Sequence, residues 1–427
     1  MGKLLVSAMN HAPELTGCGK YTGELVALMV RRGHEVEVVT APPHYPGWTV
    51  KAPYRNRYST EVLDGARLYR CPVLVRAAMG GVWRLIAPMS FALTSAPVTL
   101  WRALSLRPDT VLSIEPTLFA APFVLLSAWL AGARTVLHVQ DLEVDAAFAV
   151  GHLGGAGGLK RLAAAFELFC LSRFDTIVTI SQRMAEKIAE KGIPEERIAL
   201  VRNWVDLGHI RPSPTDFAYR EELGLPRDAF VALYSGNVGP KQGLDVVVEA
   251  ARLLADRNDI VFAIAGEGPS LEGLRRQAAD LPNVRFLPFQ PYARLSQFLS
   301  VCDLHLLPQQ ASAADLVLPS KLGGMLASGR TILVTAEPGT ELADFLAGAA
   351  TLVSPGDAGA MADAVRRHQS GSLPDTSVRC GQLAATLSEQ SAMDKLEDLL
   401  MPAGTGDRQR DARSERDKPQ RSSPHGA

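Results

Sequence analysis

The chain has 427 residues, 47% of them hydrophobic, and a formal net charge of -1. That length exceeds one ordinary core and fits two domains with extensions, while the balanced charge excludes a global basic field for nucleic acid. Five cysteines and nine histidines show neither zinc-like spacing nor an even disulfide framework, which points to reduced thiols and to no dedicated metal site.

Residues 1–7 form a short apolar run that reads as a buried first strand rather than a secretory leader. In chain order, strands are expected at 3–7, 35–40, 109–114, 134–139, 176–180 and 197–201. A second series follows at 230–235, 260–265, 284–287, 303–307, 331–334 and 351–353. Helical patterns fall between them, including 21–32, 118–131, 159–172 and 183–191. The uncharged run 116–133 contains Pro122 and is flanked by strands, so it reads as a buried helix and not a membrane span. Continuous apolar strands alternating with helices predict parallel sheets covered on both faces. The two series predict two Rossmann-like α/β domains, with ligands beyond the carboxyl ends of the strands. The domains are placed at 1–206 and 207–382, followed by a helix over 383–402 and a disordered tail over 403–427.

The richest segment is Ser235-Gly236-Asn237-Val238-Gly239-Pro240-Lys241-Gln242-Gly243, between a buried strand and a helix. Glycines there allow backbone N–H groups to face an anion, and Lys241 adds a full charge. The spacing is not that of a Walker A loop, and a tight turn with a surface lysine is the alternative. Gly266 and Gly268 form a second strand-end turn beside the first. In Asp315-Leu316-Val317-Leu318-Pro319-Ser320-Lys321, Pro319 suits a first helical turn, which would set Ser320 and Lys321 near a helix N-terminus. In the first half, Gly17-Cys18-Gly19-Lys20 separates the first strand from the first helix. His138 and Asp141 end the strand 134–139, followed by Glu143 and Asp145. They are candidates for acid/base or orienting work, and His138 is equally at home as a core residue. The stretch 72–108 holds Arg76, Arg84, Arg102 and Arg107, interleaved with apolar and aromatic residues and without one acid. It reads as an arginine-flanked helix pair at a membrane surface, or as core helices with basic ends.

Taken together, these stretches resemble the family 4 glycosyltransferases. Residues 13–24, 40–46, 134–145, 235–243 and 313–322 carry the resemblance, which extends to about Leu400. It implies the GT-B fold, with two Rossmann-like domains facing across a cleft, the acceptor held mainly by the first and a nucleotide sugar mainly by the second. The family is retaining and usually metal-independent, so no cofactor or metal is expected. Lys241 matches its phosphate-contacting lysine, and Gly17 and Gly19 match its glycine-rich donor loop. Asn203-Trp204-Val205-Asp206 is similar to its Asn-Gly-Val-Asp signature. Of two family glutamates separated by seven residues, the second falls on Gly324. The first falls near Leu316, with Asp315 as the nearest carboxylate. A family histidine position falls on Gln140.

The resemblance implies a hexosyltransferase, with fucose among the candidate sugars, acting on a polyprenyl-diphosphate-linked oligosaccharide in exopolysaccharide synthesis. Asp141, Lys241, Asp315 and His138 are the candidate catalytic residues. Gly17, Gly19, Gly236, Asn237, Lys241, Gly266, Gly268, Ser320 and Lys321 are the candidate donor-binding residues. The expected place is the cytoplasm, on the inner face of the membrane through the 76–107 region, with no nucleic-acid partner. A UDP-sugar 2-epimerase on the same architecture, or a binding-only scaffold suggested by Gly324, are the other readings.

Overall fold

The computed structural model describes residues 1–14, 17–45, 47–77, 83–142, 157–311 and 318–401. Asp315, Glu143, Asp145 and the tail expected from 403 lie outside them. The chain divides into two compact units. One comprises Met1–Thr179, Ile188–Val201 and the stretch from Met393, and the other comprises Ile180–Lys187 and Arg202–Ala392.

The first unit is built on an eight-stranded sheet of β1 (Lys3–Ala8), β2 (Glu35–Thr40), β3 (Ser59–Leu63), β4 (Ala66–Arg70), β5 (Thr110–Ile114), β6 (Arg134–Val139), β7 (Thr176–Thr179) and β8 (Ile198–Leu200). Their order is β3-β4-β2-β1-β5-β6-β7-β8. All pairings are parallel except β3 with β4, which is antiparallel. Leu4, Leu5, Val6, Val38, Val111, Val136 and Ile177 are fully buried, as continuous apolar strands covered on both faces require. The order reverses direction between β1 and β5, so the loops after β1, β5 and β6 converge on one edge.

The second unit carries β9 (Phe230–Ser235), β10 (Ile260–Ala265), β11 (Val284–Leu287), β12 (Leu304–Leu307), β13 (Thr331–Thr335) and β14 (Thr351–Val353). The order is β11-β10-β9-β12-β13-β14, parallel throughout. Here the reversal falls between β9 and β12. Both units are therefore Rossmann-like, and all twelve expected strands occur within one residue of their predicted ends.

The hairpin β3–β4 was not among the expected elements. Its turn is Asp64-Gly65, both at positive φ (50° and 83°), the conformation that a two-residue hairpin loop demands. The expected helix pair over 72–108 is instead one 24-residue helix, Trp83–Leu106, with Pro88 and Pro97 inside it. The segment expected as one helix from 383 is two, Ser377–Thr386 and Glu389–Leu400. The last of these is tied to the first unit from Met393 onward. Thr110 Oγ1 donates to the Leu400 carbonyl at 2.6 Å, Arg32 pairs with Asp394 and Glu397, and His34 Nε2 lies 2.8 Å from Glu397 Oε1.

Arg70, only 1% exposed, fixes the loops beyond β1 and β2. Its guanidinium donates to the Ala41 carbonyl at 2.8 Å, the Ala12 carbonyl at 2.9 Å and Glu61 Oε1 at 2.5 Å. Arg70→Met keeps the volume and strands those acceptors, so a loss of about 3 kcal/mol is predicted. Thermal unfolding checks this, and an unchanged midpoint would mean the guanidinium contributes nothing.

Candidate functional site

In the second unit the predicted residues gather at the carboxyl ends of β9, β10 and β12. Gly236 has φ 139° and Gly266 φ 138°, values at which only glycine is unstrained. The two loops touch backbone to backbone: a Cβ at Gly266 would stand 1.9 Å from the Gly236 oxygen, and one at Gly268 2.3 Å from the Val238 oxygen. Gly236 N donates to the Ala265 carbonyl at 3.0 Å and Val238 N to the Glu267 carbonyl at 2.8 Å. These contacts account for Gly266 and Gly268 as packing glycines. They also occupy two of the amides expected to face an anion.

Lys321 reaches this junction from the other side. A Cβ on Gly236 would lie 3.2 Å from Lys321 Cδ and 3.6 Å from its Nζ. The Nζ sits 3.8 Å from the centre of the Tyr234 ring, is itself buried, and has no hydrogen-bond partner among the described residues. Burial pushes its pKa from 10.5 down to about 7. The Tyr234 hydroxyl donates to the Asn237 carbonyl at 2.6 Å, and burial holds that phenol well above its ordinary range. Tyr234 was absent from the sequence reading. Its signal was its place one residue before the Ser235-Gly236 turn.

Lys241 lies in the 3-10 turn Pro240–Gln242, and its side chain is exposed. Its carbonyl accepts the Gln310 N–H at 3.1 Å, which ties this loop to the segment after β12. Asn237 is exposed beside it. The helix expected to begin at Pro319 begins at Leu322 and runs to Ala327, with Lys321 as its N-cap. Pro319 and the exposed Ser320 therefore precede it, because the chain is still turning there. Gly324 has a packing reason: a Cβ would meet Leu299 Cδ1 at 3.2 Å and Ile210 Cδ1 at 3.6 Å. A glutamate there would direct its carboxylate into an apolar cluster.

In the first unit, Gly17 and Gly19 open the helix Gly17–Arg31 after β1. Gly19 lets Glu14 approach, since a Cβ would fall 2.6 Å from Glu14 Oε2. Glu14 is 3% exposed, and its carboxylate accepts from His44 N and Tyr45 N, both at 2.8 Å, and from Asn10 Nδ2 at 2.9 Å. Sequence reading gave this carboxylate no role of its own.

His138 ends β6, 2% exposed, with its Nε2 3.0 Å from Gln140 Nε2. Burial lowers its pKa to about 4, so the ring is neutral near pH 7 and accepts the amide's hydrogen at Nε2. His138 and Gln140 thus meet on one side of the strand, while Asp141 is exposed at its end.

The family model "Glycosyl transferase 4-like domain" matches residues 16–204, and "Glycosyl transferases group 1" matches 229–370. The chain is 42% identical over 377 residues to the putative colanic acid biosynthesis glycosyl transferase WcaI of Escherichia coli, covering 86% of this chain and 91% of that one. Among solved structures it is similar to sucrose-phosphate synthase from Thermosynechococcus elongatus, with TM-score 0.72 at 14% identity over 97% of this chain and all of the other. It is also similar to HepE of Anabaena in complex with UDP and glucose, with TM-score 0.66 at 14% identity over 94% and 99%.

The loop junction generates a prediction. Gly266→Ala forces a methyl into the Gly236 carbonyl and a strained φ, so the variant should lose a few kcal/mol, on the order of 3. Calorimetry of the variant reads this, and a wild-type melting curve would refute the close approach.

Proposed function

The chain belongs to the family 4 glycosyltransferases, which have the GT-B fold, and from that premise we propose that it transfers a hexose, with retention, from a nucleotide sugar to a lipid-linked oligosaccharide. The observation that carries the donor side is the Lys321 ammonium. A buried amine that has, among the described residues, only an aromatic face for company is costly, and it is relieved by an anion. The place beside Gly236 lies at the strand-order reversal, where α/β sheets take nucleotides. A diphosphate seated there supplies the missing partner, and Lys241 offers a second cation from the solvent side.

As the glycosidic bond to the diphosphate breaks, negative charge grows on the leaving oxygen. Preorganised ammonium groups stabilise that charge more than the ground state, which is the condition for catalysis. No divalent cation is then required. Asp141, at the end of β6 in the first unit, would orient the sugar or acceptor, with neutral His138 and Gln140 fixing the strand end behind it. Asp315 retains the proposed contact to the donor sugar. The likeness to WcaI supports placing the reaction in exopolysaccharide synthesis. Gly324 no longer argues for an inactive scaffold, because its neighbours explain it.

The acceptor side rests on a surface of the first unit. Met89, Leu93, Trp101 and Leu104 are all exposed along one stripe of the helix Trp83–Leu106. The helix Ala121–Ala131 packs beside it and exposes Leu126, Trp129 and Leu130. Contiguous exposed apolar surface of this kind suits the interface of a bilayer. Arg102 does not serve there: its guanidinium is spent on Glu37, at 2.6 and 2.8 Å. No helix among the described residues is long and apolar enough to cross a membrane. The proposed place is therefore peripheral, on the cytoplasmic face where nucleotide sugars are made.

Lys241→Ala is expected to cut sugar transfer at least about a hundredfold with the fold intact, and normal turnover would remove this site from the mechanism. Lys321→Met should abolish nucleotide-diphosphate stabilisation in a thermal-shift assay. The sign of its effect on the empty protein follows from linkage. Its folded pKa of about 7 lies below the ordinary 10.5, so the unfolded chain holds more protons between those values. Stability of the wild type should rise across that pH window by an amount on the order of a few kcal/mol, and the methionine variant should lose the slope. An identical pH profile for both would contradict the buried ammonium. For the membrane face, Leu93→Ser with Trp129→Ser should release the protein from anionic vesicles in a flotation assay, and undiminished flotation would contradict it.

A further inference from the structure

The loop beyond β2 carries an aromatic cluster that none of the roles above uses. The buried Glu14 carboxylate holds it from below through the His44 and Tyr45 amides, both at 2.8 Å. Tyr45 lies against the start of the glycine-rich helix, where a Cβ on Gly17 would come within 3.4 Å of its Cε1. Trp48 follows in the left-handed region at φ 52°, unusual for a bulky residue. Its ring meets Tyr45 nearly edge-on, with centroids 5.8 Å apart and an angle of 85°. The His44 ring is also 5.8 Å from Trp48, tilted by 50°. Thr49 N closes the loop onto the His44 carbonyl at 3.2 Å.

Tyr45 and Trp48 are both half-buried, yet among the described residues neither the phenol hydroxyl nor the indole N–H has a hydrogen-bond partner. His44 is fully buried, and its Nε2 has no partner among the described residues. Its Nδ1 is engaged, 2.9 Å from the Pro42 carbonyl, so Nε2 is left as an acceptor. Tyr45 and Trp48 thus present aromatic faces together with an unspent hydroxyl and indole N–H, at the edge where ligands of such sheets lie, whereas the His44 ring is fully buried and is not part of that surface. A pyranose ring is the complementary ligand, since it offers a face of C–H groups and a rim of hydroxyls.

We propose that Tyr45 and Trp48 form a stacking platform for a pyranose ring, the terminal sugar of the acceptor, with Glu14 as the residue that positions them. This rests on the transferase reading. A membrane anchor would instead leave its tryptophan well exposed, as Trp129 is on the helix Ala121–Ala131, rather than pack it edge-on against a tyrosine. Stacking and hydrophobic burial of this kind are worth up to about tenfold in affinity per ring.

The test uses the full chain and three probes, methyl β-glucoside, methyl α-galactoside and methyl α-fucoside, followed by saturation-transfer NMR and tryptophan fluorescence. At least one should bind, with affinity down about tenfold in Trp48→Ala and in Tyr45→Ala and largely kept in Trp48→Phe. Glu14→Gln should weaken glycoside binding and remove the glycoside-induced change in tryptophan emission while the far-UV circular dichroism spectrum and the nucleotide response stay those of the wild type, which separates lost positioning from misfolding. UDP and GDP are run in parallel by thermal shift as the donor arm. Nucleotide stabilisation with no glycoside binding, or with binding unaltered in Trp48→Ala, overturns the platform and leaves the transferase reading standing. Absence of any nucleotide response in the wild type removes that reading instead. Loss of vesicle flotation in Trp48→Ala with glycoside binding intact makes the loop a membrane anchor and also overturns the platform.

Discussion

Lys321 spends its ammonium where no acceptor among the described residues reaches it. The Nζ is buried against the Tyr234 ring, and burial alone draws its pKa down to about 7. A cation–π contact returns on the order of 1–2 kcal/mol, less than desolvating an ammonium removes, so the empty site is left unbalanced. The rest of the second unit is arranged so that this imbalance persists. Tyr234 is fixed by its own hydrogen bond to Asn237, Gly236 leaves room for the lysine chain, and the helix that begins at Leu322 anchors its backbone. An anion of matching size restores the balance, which ties the geometry of the loops to the charge of the ligand.

The loops themselves are stiffened by the absence of side chains. Gly266 and Gly268 permit carbonyl contacts with Gly236 and Val238 that any Cβ would forbid. The result extends the pairing of β9 and β10 past the end of the sheet. A rigid rim of this kind favours preorganisation, because little motion remains to be frozen when a charged ligand arrives. The first unit follows the same logic with a different device. There Glu14 gathers three donors from separate segments and fits beneath Gly19.

The strands were legible because parallel sheets buried on both faces demand short apolar runs rich in β-branched residues, such as Ile260 to Ala265 and Thr331 to Val334. The β3–β4 hairpin was not, although Asp64-Gly65 is the turn signal it needs; β3 is an exposed edge strand with a polar sequence and no apolar run. Glycines were visible, but whether they serve a ligand or a neighbouring backbone depends on contacts between segments thirty residues apart. Gly266 and Gly268 turned out to be needed for packing, and so did Gly324. Lys321 was visible as a candidate, whereas its isolation was not, since burial without a partner is a property of the fold. Glu14 stood in plain sight and its role depended on His44 and Tyr45 folding over it. The helix pair expected over 72–108 is one helix, Trp83–Leu106, which continues through Pro88 and Pro97.

The central claim is that a nucleotide diphosphate completes the Lys321 site. Calorimetric titration with UDP and GDP at pH 8, repeated in two buffers of different ionisation enthalpy, tests it most directly. The lysine is then mostly neutral in the empty protein and charged beside a diphosphate, so binding should take up close to one proton, and Lys321→Met should remove the uptake. Tight nucleotide binding with no proton exchange in the wild type would contradict the account.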